Sequence, residues 1–161
     1  MDEGALGRAY HGAMRAEKQT RKPVRFAGYA ALFDVVDRGG DVVRRGAFAE
    51  ALGAGVHTAR KVPLCLQHDP ARRIGTIETL AEDERGLRVI ARLYDWTPAA
   101  RDAAQAVRSG LLTGLSFGYR VRASGPGLGK GARRTLTALD LVEVSLVEAP
   151  MQPRARVHMV I

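Results

Sequence analysis

Apolar and polar positions alternate along much of this chain, and the alternation predicts strands. Ile74 to Leu80 and Gly86 to Tyr94 both show a period of two and are joined by the polar AEDER, which reads as a β-hairpin with a longer loop. Val24 to Phe33, VRFAGYAALF, reads as a first strand in which Gly28 can carry a bulge. Lys61 to Gln67, KVPLCLQ, is a strand with Pro63 at an edge or early position. Leu115 to Val121 alternates, Thr135 to Val147 is a long apolar strand, and VHMVI forms a last one. Two segments break this pattern. AFAEALGAG reads as a short helix closed by Gly53. Thr97-Pro98 is a helix start, with Ala99, Ala103, Ala106 and Val107 following and Gly110 as the stop. Residues 1–22 show no period and are expected to be a flexible basic extension, leaving one domain over 23–161. Strands dominate, so the fold class is α+β: a closed or nearly closed β-barrel with helices packed outside it.

Composition narrows the class further. The 161 residues are 46% hydrophobic and 26% charged, as in a soluble globular domain with one core. No apolar run approaches the roughly 18–20 residues that span a bilayer, so no membrane partner is expected. One cysteine, Cys65, allows no intramolecular disulfide. The net charge of +8 favours an acidic partner. Part of it is local: Arg120 to Arg134, RVRASGPGLGKGARR, holds five basic residues and no acidic one, and reads as a solvated Gly-rich loop. That loop imitates a phosphate loop, but Ser124 and Gly131 occupy the positions that need glycine and a hydroxyl. No basic patch is interleaved with aromatics, so nucleic acid is not expected as the specific partner. The four histidines and one cysteine have no metal-ligand spacing, and no cofactor is implied.

The chemistry centres on GLLTGLSFGYRV, residues 110–121, in which Gly114 to Gly118 spells G-x-S-x-G. A nucleophile elbow needs a strand before its serine and a helix after it, and here that order is reversed. On a strand, Leu115, Phe117, Tyr119 and Val121 share a bulky face, and Gly114, Ser116 and Gly118 share the other. With no side chain beside it along its own strand, Ser116 is open to close approach by a substrate backbone. The alternative is a glycine kink holding an incidental serine.

A serine nucleophile needs a base, and His68 is the candidate. It ends the strand VPLCLQH in phase with Val62, Leu64 and Leu66. The competing reading is a satisfied core histidine. Glu143 is the carboxylate out of place in LDLVEVSLVEAP. Buried alone it would cost several kcal/mol or more, so it needs a partner, either a histidine N–H or an arginine. Asp69, Asp95, Asp102 and Asp140 are less confined rivals, and Cys65 reads as a buried, inert thiol.

Four segments in order, FAGYAALFDVVDRGGDVVRRGAF, PLCLQHDPARRIGTI, the helix running into GLLTGLSFGYRV, and LDLVEVSLVEAPMQPRA, resemble the prohead (capsid maturation) proteases of tailed bacteriophages. The similarity covers residues 24–157. It implies a serine endopeptidase with a fold similar to herpesvirus assemblin, a β-barrel surrounded by helices. It implies His68, Ser116 and Glu143 as catalytic residues, Glu143 being the loosest transfer because herpesvirus proteases use a second histidine. The implied partners are scaffolding protein or the scaffolding segment of the major capsid protein, and the chain itself through self-cleavage or self-association. The implied location is the immature capsid in the host cytoplasm, for a phage, a prophage remnant or a gene-transfer agent alike. A non-catalytic scaffold-binding capsid-assembly protein and a nucleic-acid-binding module are the competing classes.

Overall fold

The computed structural model describes residues 22–53 and 56–161, with the side chains of 56–58 outside that set. The expected extension over 1–22 therefore lies, up to residue 21, outside the described residues. The elements are β1 (Arg25–Leu32), β2 (Asp41–Val43), α1 (Ala49–Leu52), α2 (Val56–Lys61), β3 (Pro63–Leu66), β4 (Asp69–Glu82), β5 (Gly86–Leu93), α3 (Pro98–Arg108), β6 (Gly114–Pro126), β7 (Arg134–Val147) and β8 (Val157–Val160). All eight strands join one sheet in the order β2-β7-β3-β4-β5-β1-β8, with β6 on the other edge of β7.

Strand β7 organises this sheet. Antiparallel β6 runs along its whole length, from Gly114↔Val147 to Pro126↔Arg134. Its opposite edge is shared by two short parallel partners, β2 at Asp41↔Arg134 and β3 at Leu64↔Val144. Parallel neighbours and two-sided burial go with continuous apolar runs, and Val144, Leu146 and Val147 are buried. The β4–β5 hairpin and the β1–β5 pairing carry the sheet onward. One core cluster includes Phe26, Leu64, Ile74, Leu87, Leu115 and Leu146. The amphipathic helix α3 adds Ala100, Ala103 and Val107 to it. Thr97 caps α3 by accepting from the Ala100 N–H at 3.2 Å, Pro98 opens it, and Gly110 (φ +76°) follows its end.

Three expectations are corrected. The sheet is not clearly a closed barrel, and the described helices are three, two of them under eight residues, so they do not surround it. Strand β8 has four residues and its ladder is with β1. Its near end is linked to the start of β6 by the isolated Gly114↔Arg156 bridge, the Leu115 N–H to Ala155 O bond of 2.9 Å and the Val157 N–H to Thr113 O bond of 2.8 Å, so the sheet comes close to closing there without a continuous ladder. Second, the basic Gly-rich loop is shorter than its composition suggests. Its two ends pair as a β6–β7 ribbon out to Pro126↔Arg134, with Arg120 exposed and Arg122 ion-paired to Glu50 at 2.8 Å. Third, β2 and α2 were not foreseen. The former is three residues inside turn signals, and its pairing with β7 is a long-range fact with no local pattern.

The C-terminal segment is held by Gln152, whose buried amide accepts from the Leu32 N–H at 2.6 Å and donates to the Leu32 carbonyl at 3.0 Å. Truncation would leave both backbone groups without that partner. Gln152→Ala is expected to lower stability by about 1–3 kcal/mol, measured as a lower urea midpoint at unchanged m-value.

Candidate active site

The turn between β3 and β4 is two residues long, Gln67 and His68, both with positive φ (+53° and +60°). Tight hairpins favour Asn-Gly at such positions, since a side chain there is strained. Three hydrogen bonds fix the turn. The Gln67 N–H donates to Leu146 O at 2.9 Å. The Gln67 side-chain oxygen accepts from the Glu148 N–H at 3.2 Å. The His68 N–H donates to Ser145 Oγ at 3.2 Å. His68 therefore does not extend the strand phase of Leu64 and Leu66. Its conformation carries the imidazole to the opposite side of β7 from the core residues Val144 and Leu146, where Glu143 and Ser145 point.

There His68 Nδ1 lies 2.5 Å from Glu143 Oε1. Ser145 Oγ donates to Glu143 Oε2, also at 2.5 Å. Both oxygens of a carboxylate on a residue only 7% exposed are thereby satisfied. Among the described residues no arginine reaches Glu143, so the histidine is its partner rather than a core cation. Of the other candidates, Asp69 is turned to its own loop, accepting from the Ala71 N–H at 2.9 Å. Cys65 is fully buried, and burial first, with the Glu143 charge second, pushes its thiol pKa up, against thiolate chemistry. His158 stacks on Tyr29 in the β1–β8 region, while His11 and the His57 side chain lie outside the described residues. Among the described residues no three His, Cys, Asp or Glu side chains are grouped to hold a metal ion.

Ser116 on β6 is directly opposite Ser145 on β7, and Gly118 is opposite Glu143. Cross-strand partners project to the same face of a sheet, so Ser116, Ser145 and Glu143 share one. Ser116 is 3% exposed, and its hydroxyl has no hydrogen-bond partner among the described residues; no bond joins it to His68. The structure thus brings His68 and Glu143 into contact and sets Ser116 one strand away on the same face. The glycines have a different use from the expected open approach. A Cβ on Gly118 would lie 2.6 Å from Glu143 Oε1, and one on Gly114 would lie 2.3 Å from Val147 O. Both make room for the protein's own β7. Ser145 was missed by sequence reasoning. Its signal was there, two positions after Glu143 and so on the same face, but a serine in an apolar strand looks like a tolerated small residue.

The Glu143 hydrogen bond raises the His68 pKa above 6.5, burial opposing it and the Glu143 charge assisting. A raised folded pKa means that the protonated pair adds stability fully below pH 6.5. That stability is lost as pH rises through the raised folded value. Gly118→Ala would displace the carboxylate from His68. By histidine NMR titration its His68 pKa is expected to fall back toward 6.5, and the stability gap between wild type and Gly118→Ala is expected to be larger at pH 5–6 than at pH 8–9.

The bacteriophage T4 capsid assembly protease has a similar fold, with a TM-score of 0.64 at 18% identity over 81% of this chain and 85% of that one. A protease of KSHV is more distant, with a TM-score of 0.49 at 12% identity over 84% of this chain and 64% of that one. In sequence, 97 residues are 36% identical to the prohead protease of Enterobacteria phage HK97. That match takes in 60% of this chain and 42% of the relative's length. The sequence model of the caudovirus prohead serine protease family matches residues 12–161, and the chain belongs to that family.

Proposed function

We propose that the chain is a serine endopeptidase of procapsid maturation, acting through Ser116, His68 and Glu143. The observation that carries this reading is the His68–Glu143 contact on the sheet face that also holds Ser116. With Nδ1 occupied by Glu143, the imidazole has Nε2 free for the serine. Glu143 fixes the tautomer in which Nδ1 carries the proton and stabilises the imidazolium when it forms.

In the proposed reaction Ser116 Oγ attacks the scissile carbonyl while its proton passes to His68 Nε2. Collapse of the tetrahedral intermediate breaks the C–N bond, and Nε2 returns that proton to the leaving amine. Water, deprotonated by the same nitrogen, then releases the acyl group and regenerates the serine. A Ser116–His68 hydrogen bond is expected to form as substrate binds, since catalytic bonds commonly tighten in the substrate complex. The substrates are scaffolding protein or the scaffolding segment of the major capsid protein, together with this chain, and the reaction takes place inside the immature capsid in the host cytoplasm.

Co-expression with the cognate major capsid protein, followed by intact mass of both chains, tests the reading. Wild type is expected to yield shortened products. Ser116→Ala and His68→Ala are expected to yield none while remaining folded, with rate losses of about 10⁴–10⁶ on a cognate peptide. Processing by Ser116→Ala near the wild-type rate would overturn the assignment of Ser116 as the nucleophile. The base must be neutral, so the acid limb of kcat/KM is expected above pH 6.5, in line with the raised His68 pKa. Glu143→Gln is expected to lower that limb and to reduce kcat less than Ser116→Ala does.

A further inference from the structure

We propose that Ser145 is the positioning residue of this site, its single hydroxyl setting both the Glu143 carboxylate and the His68 backbone. The inference deepens the peptidase reading, but its core rests on geometry alone. Ser145 Oγ accepts from the His68 N–H at 3.2 Å and donates to Glu143 Oε2 at 2.5 Å. A serine hydroxyl has one proton and two lone pairs, so a single atom can serve both groups. The two functions meet at one residue because β7 supplies Glu143 and Ser145 two positions apart, and β3 delivers the His68 turn alongside them.

The same geometry removes Ser145 from consideration as a nucleophile. It is 0% exposed, and its proton is already committed to Glu143. What it can do is hold other groups still. A carboxylate bonded at one oxygen can swing about its last torsion, which is broad and two-fold. Bonded at both oxygens it presents Oε1 to the imidazole in one orientation. His68 in turn occupies a strained backbone region at φ +60° that persists only where neighbours over-determine it. The Ser145 acceptor is one of those determinants. The residues around the serine do not compete for this role. Cys65, its partner on β3, is a buried thiol with no hydrogen bond to the group, and Ser116, its partner on β6, has none either.

The test compares Ser145→Ala, Ser145→Cys and Cys65→Ala with wild type, all under reducing conditions. Ser145→Cys keeps the volume with a much weaker donor, and decides the matter if Ser145→Ala fails to fold. The first readout is the proton NMR signal of His68 Nδ1–H below its pKa, a downfield line protected from solvent exchange by the Glu143 bond. It is expected in wild type and Cys65→Ala, and to be lost to exchange in both Ser145 variants. The second is peptide hydrolysis. kcat is expected to fall about 10–100-fold in the Ser145 variants, the scale on which supporting hydrogen-bond partners act, with KM little changed. A folded Ser145 variant that keeps the signal and the wild-type kcat overturns the inference. So does Cys65→Ala losing both, since packing alone would then explain the effect. Loss of the signal in the Ser145 variants of a chain with no peptidase activity would support the positioning role and count against the peptidase reading.

Discussion

The arrangement of this molecule depends on a buried carboxylate. Glu143 sits in β7, which is paired along both of its edges, where an unpaired charge would be costly. Its two oxygens are met by an imidazole from the β3–β4 turn and a hydroxyl two residues further along β7. Neither partner is useful unless the backbone brings it there, so the parallel β3–β7 pairing and the opposite β6–β7 pairing are both prerequisites of the site. Gly118 completes the constraint from the other side, because any side chain at that position would collide with the carboxylate. On the exposed part of the ribbon the arginines pair with carboxylates instead, Arg122 with Glu50 and Arg134 with Asp41.

The pair that results has opposed consequences with pH. Protonated His68 is favoured by Glu143 and strengthens the fold, whereas a general base must be neutral. Strain at φ +53° and +60° in Gln67 and His68 belongs to the same trade. A Gly-containing turn would relax the backbone but would not present an imidazole. Function and stability therefore ask different things of one two-residue turn, and the hydrogen bonds that it donates to Leu146 and Ser145 and accepts from Glu148 resolve the conflict by pinning it.

Much of this was legible in residues read singly or at short spacing. The β4–β5 hairpin follows from alternation, and α3 from Thr97-Pro98 at its start and Gly110 past its end, all local signals. That Glu143 needs a partner was anticipated from the cost of burying a carboxylate among apolar neighbours, with a histidine N–H or an arginine both open; the partner is His68. What escaped was set by long-range geometry. The path of His68 was misread because strand phase was carried two residues into a turn. How far the sheet closes was not legible, because it depends on whether a four-residue strand finds a partner on both edges, which no local pattern records. The room that the glycines flanking Ser116 leave for β7 was not legible either, since only register shows that Glu143 lies opposite Gly118.

The central claim is that Ser116, rather than any other hydroxyl or thiol, is made nucleophilic by His68. The most direct measurement is labelling of the full chain with a fluorophosphonate, followed by peptide mapping of the adduct and its rate as a function of pH. The account predicts a single adduct on Ser116, formed faster as pH rises through the His68 pKa and abolished in His68→Ala. An adduct on Ser145 or Cys65, or labelling of Ser116 at the same rate in His68→Ala, would contradict it.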